Sequence, residues 1–340
     1  MRGQATSSRR FWACGSVSSC TNVAEEDFLK YDRTKAFGRN TTLSMRRYLR
    51  DQAELNRFYW AARLSADTMQ AHVKSNPSTD ADTLIKLLGV QSQAAARLTD
   101  QSYSLKQSLS VVDRWLRLTT LLVALSAFER YLLAAASSAI SSDPAPTSTW
   151  PKKLDGLYVK KHKIEILTPP LEGLTKGEWP SRSAVYQKLF GGLPPELSGS
   201  IGQLELMRKM RNGVAHEFAY DSAAASIANT SLLIRVGPEQ GNLKSFSLSA
   251  RRLISWLSIL NKVAKAVDRQ LVVNHVGGFE VPSVYLDWME NPQAFEEAAG
   301  VILTGHRKSS GIRFRHAVAP FFGPIGNEYD RTMREYINLI

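Results

Sequence analysis

The chain has 340 residues, 44% of them hydrophobic and 22% charged, and its 43 Lys and Arg outnumber its 31 Asp and Glu for a formal charge of +12. Such a composition belongs to a folded chain rather than a disordered or collagen-like one, and the length points to one large or two small domains. The only cysteines, Cys14 and Cys20, are too few for a disulfide framework, and no zinc-finger spacing occurs.

The start of the chain pairs Arg9 with Arg10, but polar residues and Glu25, Glu26 and Asp27 follow in place of a secretory apolar run, so the expected location is cytoplasmic. Residues 1–40 lack sustained periodicity and read as a flexible tail. From Ser44 to Lys74 the absence of Gly and Pro, with Leu49, Leu55, Tyr59, Ala62 and Met69 among charges, predicts one long helix. A second is expected over Asp80 to Leu98, completing an N-terminal helical extension over 41–100. A third, longer helix runs from Ser102 to Ile140 and stops before Pro144, because proline cannot continue it. Arg117, Glu129 and Arg130 within this apolar stretch mark it as a buried helix rather than a membrane span.

Residues 143–200 are rich in Pro and Gly and read as an irregular insertion with short elements. A fourth helix begins near Ser200 and carries Leu204, Met207, Met210, Val214 and Phe218. Alternating apolar residues about the Gly237-Pro238 turn predict a β-hairpin over Ser231 to Ser249. A fifth helix follows with Leu253, Leu257, Leu260, Ala264, Val267 and Leu271 on one face. Beyond it, residues 274–340 form a mixed C-terminal extension with a helix around Gln293 to Val301, a hairpin around Ile312 to Val318 and a final helix from Asn327. The expected fold class is all-α: an antiparallel four- to five-helix bundle over 101–273, with small β-hairpin insertions and helical extensions at both ends.

The chain contains no GxxxxGK[ST], no GxGxxG after a strand, no HExxH and no GxSxG, so the usual signatures of nucleotide-binding, zinc-protease and serine-hydrolase chemistry are missing. One stretch stands out, Arg211-Asn212-Gly213-Val214-Ala215-His216. A bare Arg and His at four- to six-residue spacing is common by chance, and Arg269 and His275 form another instance, read as structural at a helix end. With 26 arginines, 12 asparagines and six histidines, Asn directly after Arg lowers the chance expectation to on the order of 0.02. The stretch resembles the Arg-Asn-x-x-Ala-His form of the R-x(4-6)-H motif of the HEPN superfamily, whose members include metal-independent ribonucleases of toxin-antitoxin and phage-defence systems.

Cutting RNA through its own 2′-hydroxyl needs a proton acceptor, a proton donor for the leaving 5′-oxygen and positive charge on the phosphorane. His216 suits the proton transfers, since its unperturbed pKa lies near 6.5, and the planar fork of Arg211 suits phosphate. On an ideal helix the two lie about 140° and about 7.5 Å apart, so one chain sets them on different faces. The resemblance implies a composite site in a homodimer, with RNA as substrate, an antitoxin or regulatory protein as a further partner, and neither metal nor other cofactor. Asn212, one turn from His216, would orient the imidazole or contact RNA.

Glu129 falls inside the apolar stripe of the third helix, formed by Leu118, Leu121, Leu122, Leu125, Phe128 and Leu132. A carboxylate there is costly unless paired. Arg211 lies in the apolar arc of its own helix beside Met207 and Val214, which makes a Glu129 to Arg211 contact an economical pairing, the alternatives being Arg130, Arg114 or another base, or solvent. An acidic residue in the corresponding helix is also common in HEPN proteins. Two basic clusters read either as solvated faces or as contacts to RNA phosphates: Lys160, Lys161 and Lys163 around Tyr158, and Arg307, Arg313 and Arg315 around Phe314. The alternative function is a catalytically silent helical module that dimerises and binds nucleic acid or a protein.

Overall fold

The computed structural model describes residues 40–75, 105–145, 155–166, 170–218, 248–298 and 310–340, and every regular element among them is helical. In chain order the α-helices are α1 (Leu43–Ser75), α2 (Leu105–Ser142), α3 (Gly156–Lys161), α4 (Trp179–Phe190), α5 (Pro195–Ser198), α6 (Ile201–Phe218), α7 (Ala250–Leu271), α8 (Glu280–Glu290), α9 (Pro292–Ala298), α10 (Ser310–Phe322) and α11 (Asn327–Leu339). A 3₁₀ turn covers Leu171–Leu174 and a π-helical turn Val272–Val276. The chain divides into two compact units, a larger one of residues 40–154 and 166–276 and a smaller one that includes residues 155–165 and 277–340.

The larger unit is organised on α2, which packs against α1, α6, α7, the 3₁₀ turn and the π turn. Its Leu118, Leu121, Ala124, Leu125, Phe128, Leu132, Ala135 and Ala139 are buried, so small residues let neighbouring helices approach while the leucines fill the space between them. Each fully buried leucine contributes about 1.5–3 kcal/mol relative to exposure. Over Leu109–Ser142 this helix is long and apolar enough to cross a membrane, and more than half of its most apolar 18-residue window is buried within the protein.

Contacts along the helices fix their directions. Tyr48 of α1 meets Tyr131 at 5.3 Å and Asp51 pairs with Arg130 at 3.5 Å, while Arg63, farther along α1, reaches back to Asp113. Helices α1 and α2 are therefore antiparallel. Tyr131 donates to the Ala264 carbonyl at 2.9 Å and Ser142 to the His275 carbonyl at 2.8 Å. Both partners advance by the same number of residues, so α7 runs in the same direction as α2. Helix α7 is capped by Ser249, whose Oγ accepts from Arg252 N at 3.2 Å, and it buries Leu253, Trp256, Leu260, Val263, Ala264, Val267 and Leu271 as its spacing predicts.

A buried polar contact locks the start of α1 to α7. Thr42 Oγ1 accepts from Met45 N at 3.0 Å, as an N-cap does, and donates to Asp268 Oδ1 at 2.5 Å. The Thr42 backbone N–H donates to Asp268 Oδ2 at 3.2 Å. Burial pushes the Asp268 carboxyl above its ordinary pKa, while the bonds from Thr42 oppose that rise.

In the smaller unit α8 packs against α3, α9 and α10. Tyr285 and Trp288 of α8 close on Phe314 of α10, with ring centroids 4.9 and 5.7 Å away, and all three rings are buried.

The structure changes several expectations. No strand occurs among the described residues, and the hairpin expected around Ile312 to Val318 is the helix α10. Its buried Phe314, Ala317, Val318 and Phe322 recur at helical spacing, which the alternating reading of a short run missed. The hairpin over 231–249 lies outside the described residues except for its last two positions, as do the helix over 80–98 and residues 1–39. The insertion over 143–200 contains the ordered helices α3, α4 and α5, and α3 belongs to the smaller unit rather than the bundle. Helix α1, set apart by the sequence as an extension, lies in the larger unit and packs along α2.

Replacing Thr42 by Val keeps the side-chain shape but removes the cap and one donor to Asp268. Thr42→Val is expected to lower the unfolding free energy by about 1–3 kcal/mol, read from the urea midpoint at neutral pH. An unchanged midpoint would show that the Thr42 and Asp268 contact does not secure α1.

Candidate functional site

Glu129 sits on α2 between Phe128 and Leu132, both buried, and two guanidinium groups converge on its carboxylate. Arg211 of α6 donates from Nη1 to Glu129 Oε1 at 2.7 Å and to Oε2 at 2.6 Å. Arg182 of α4 donates from Nη1 to Oε1 at 2.8 Å and from Nε to the Gly177 carbonyl at 2.9 Å. The Arg182 guanidinium also lies over the Trp179 ring, 5.0 Å from its centroid.

Exposure grades across this triad. The side chain of Arg182 is 2% exposed, that of Glu129 19% and that of Arg211 23%. Arg182 is thus the buried anchor and Arg211 the member that reaches the surface. One carboxylate neutralises only one of the two cations, so the cluster keeps a net positive charge. Arg211 Nε donates to Asn212 Oδ1 at 3.3 Å. With Nε and Nη1 engaged, the Nη2 edge of Arg211 has no partner among the described residues.

The neighbours of Arg211 on α6 explain why it sits where it does. Met207 and Val214, one turn before and one turn after, are buried, which carries the arginine stem into the bundle and its head to Glu129. Helix α6 continues through Phe218, so Arg211 to His216 is a single helical run. Their Cα positions accordingly lie about 140° and about 7.5 Å apart on that helix. The His216 side chain lies outside the described residues.

A second ionic tie joins α6 to α4. Glu205 accepts from Arg208 Nε at 2.9 Å and Nη2 at 2.6 Å, a bidentate fork, and from the Trp179 backbone N–H at 3.1 Å. A carboxylate of α6 therefore satisfies a donor at the first residue of α4 and complements the positive end of that helix. The bonds from Arg208 are the largest reason that the Glu205 carboxyl is held down to about 2, with the Trp179 bond adding to them against some desolvation.

The residues expected as the site separate into groups. Glu129 and Arg211 are together, and Asn212 touches Arg211 through its amide oxygen. The lysines around Tyr158 lie in the smaller unit and have structural partners. Lys160 Nζ donates to Ser283 O at 2.9 Å, Ser283 Oγ at 2.8 Å and Asp287 Oδ2 at 2.7 Å, which uses its three protons. Lys161 Nζ donates to the Ile337 carbonyl at 2.6 Å near the end of α11, and Lys163 pairs with Glu290 at 3.2 Å. Lys160 and Lys161 thus tie α3 to α8 and α11 within the smaller unit. Arg315 donates to Asn327 Oδ1, Arg313 lies on the same helix α10, and Arg307 lies outside the described residues. Phe314 is buried between Tyr285 and Trp288 and presents no face for base stacking. His275 of the chance Arg269 and His275 pair packs its ring on Phe190 at 5.3 Å, with Nδ1 3.7 Å from Asp143.

Arg182 is the site member that the sequence reading passed over. Its signal was present: Trp179, Arg182, Ser183, Tyr186 and Phe190 form one buried face, with Pro180 in the first turn and Gly191 closing the helix at φ +76°. An arginine within that stripe is the counterpart of Glu129 within its own. No group of three or more His, Cys, Asp or Glu side chains among the described residues is placed to hold a metal ion. Comparison with protein-family models, curated proteins and solved structures finds no match.

The low pKa of Glu205 gives a signed expectation. Its stabilising contribution is present above the ordinary carboxylate value of 4.5 and is lost as pH falls toward about 2. Glu205→Gln should therefore cost about 1–2 kcal/mol at pH 7, with a gap from the unmodified chain that narrows as pH falls below 4.5. Urea titrations of both proteins between neutral and acid pH check this; a gap independent of pH would show that the ionised form carries no special weight.

Proposed function

We propose that the chain is a HEPN-like, metal-independent endoribonuclease that acts as a homodimer, in the manner of a toxin or antiphage effector. The observation that carries this reading is the Arg211 head: two bonds from Nη1 to Glu129 fix the guanidinium, and its Nη2 edge is left for an oxyanion. The RNA 2′-oxygen attacks the adjacent phosphorus while its proton passes to a base, and the leaving 5′-oxygen takes a proton from an acid. The products are a 2′,3′-cyclic phosphate and a 5′-hydroxyl. Arg211 binds the phosphate and stabilises the charge that builds on its non-bridging oxygens. His216 exchanges the protons, and because two transfers are needed, a second copy of the chain supplies the second imidazole across a two-fold axis. Glu129 supports Arg211, and Asn212 fixes the Nε edge of the same guanidinium.

A second reading has its own support. A triad that ties α2, α4 and α6 together has a structural reason to exist without catalysis, and in that case the chain is a helical module that binds nucleic acid or a protein.

Gel analysis of end-labelled single-stranded RNA in EDTA, with the product termini identified, separates the two. The ribonuclease reading expects cleavage to cyclic phosphate by the unmodified chain and at least a hundredfold loss in His216→Ala, with the thermal midpoint nearly unchanged. Cleavage by His216→Ala at the unmodified rate ends the assignment. Equal retardation of RNA by both proteins with no cleavage by either favours the binding module.

A further inference from the structure

We propose that Arg182 is the positioning residue of this site: through Glu129 it sets which edge of Arg211 is turned to a phosphodiester. The inference rests on the reading of Arg211 as the phosphate ligand and extends it to a residue with no contact to RNA.

At 2% exposure Arg182 cannot meet a ligand, yet it carries a charge that needs a counter-ion. Its fork is held from two directions, by the Gly177 carbonyl at Nε and by Glu129 Oε1 at Nη1, and its central carbon lies over the Trp179 ring. Such a group is fixed in direction as well as in position. Glu129 is therefore anchored through Oε1 from the interior, and its carboxylate plane is set before Arg211 engages.

What Glu129 does with two cations follows from that anchor. Arg211 bonds both carboxylate oxygens through the single nitrogen Nη1. The usual paired fork of an arginine on a carboxylate would use two nitrogens and leave fewer donors for a ligand. With Oε1 shared between Arg182 and Arg211, the second guanidinium approaches through one corner, and Nη2 stays clear of the ion pair. Remove Arg182, and Glu129 is free to rotate and take Arg211 in the paired arrangement that consumes Nη2. The excess positive charge also disappears, since one carboxylate then faces one guanidinium.

This mechanism makes Arg182 and Arg211 act in series. The test uses the full chain and a short fluorescein-labelled single-stranded RNA with 2′-O-methyl sugars, which cannot be cut through its 2′-oxygen. Affinity is measured by anisotropy over a range of salt concentrations for the unmodified chain, Arg211→Ala, Arg182→Met and the double variant. Arg211→Ala is expected to weaken binding and to lower the slope of log affinity against log salt by about 0.7, the loss of one phosphate contact. Arg182→Met should reproduce that change in slope, and the double variant should bind no more weakly than Arg211→Ala alone. A purely structural Arg182 would alter the melting midpoint but leave the slope of the folded protein as it was.

Should Arg182→Met fail to fold, Arg182→Lys keeps the buried charge but lacks the planar fork that fixes Glu129. It is expected to bind the RNA at least threefold more weakly than the unmodified chain with the same reduced slope. A folded Arg182→Met or Arg182→Lys with unmodified affinity and slope, beside a weakened Arg211→Ala, overturns the positioning role and leaves the phosphate role of Arg211 intact. Losses that add in the double variant also overturn it. If Arg211→Ala itself binds like the unmodified chain, the phosphate reading fails and the role of Arg182 falls with it.

Discussion

The larger unit depends on one carboxylate shared by two guanidinium groups. Glu129 occupies a place on α2 that an apolar residue would otherwise fill, and a lone charge there would be strongly destabilising. Its two arginines come from α4 and α6, so satisfying the charge also brings three helices to one point. A well-packed apolar residue could stabilise the same junction as well or better, because the desolvation of three ions offsets much of their attraction. What an apolar junction could not do is hold a guanidinium near the surface with a donor edge unused. The retained charge makes chemical sense where an anion is the ligand.

The junction works because Glu129 stands within the buried apolar stripe of α2. Phe128, immediately before Glu129, is fully buried and meets Trp179 at 5.9 Å and Tyr48 at 6.2 Å. The tryptophan that supports Arg182 is thus itself supported by the residue next to Glu129. Cation, ring and carboxylate form a closed circuit of contacts, in which moving any member disturbs the others. Fixing a charged side chain by neighbours that are themselves packed is the condition for presenting a donor to a ligand with little reorganisation.

The sequence made much of this visible, and its failures have physical causes. Glu129 and Arg211 each announced themselves as charges inside apolar stripes, which made their pairing one economical choice among several, and the structure adds Arg182 as a second partner of Glu129. The long helices α1, α2, α6 and α7 were legible from periodicity, whereas the caps that Thr42 and Ser249 provide emerge only from the structure. Helix α4 was hidden by the Pro and Gly on either side of it, although Pro180 and Gly191 are start and stop signals rather than evidence of irregularity. Helix α10 was misread because its short apolar run satisfies both a two-residue and a 3.6-residue period over a few positions, and packing of Phe314 against α8 decides between them. The lysines of α3 illustrate a different limit. A run of like charge looks available from sequence, but nothing in the run itself tells that Ser283, Asp287 and the end of α11 take up Lys160 and Lys161.

Helix α6 is held at two azimuths, and this bears on the histidine. Glu205 faces the N-terminus of α4, and Arg211, six residues farther on, faces Glu129. Six residues turn an α-helix by about 600°, so the two ties lie about 120° apart around its axis. A helix fixed at a single face can roll about that contact; one fixed at two faces cannot do so without breaking a charged bond. Because the helix continues unbroken from Glu205 to Phe218, locking its rotation also locks the rotation of the turn that carries residue 216. The angle between Arg211 and residue 216 is set by the helix they share, and the ionic ties that a purely structural account would assign to stability set how that helix is turned relative to α2 and α4.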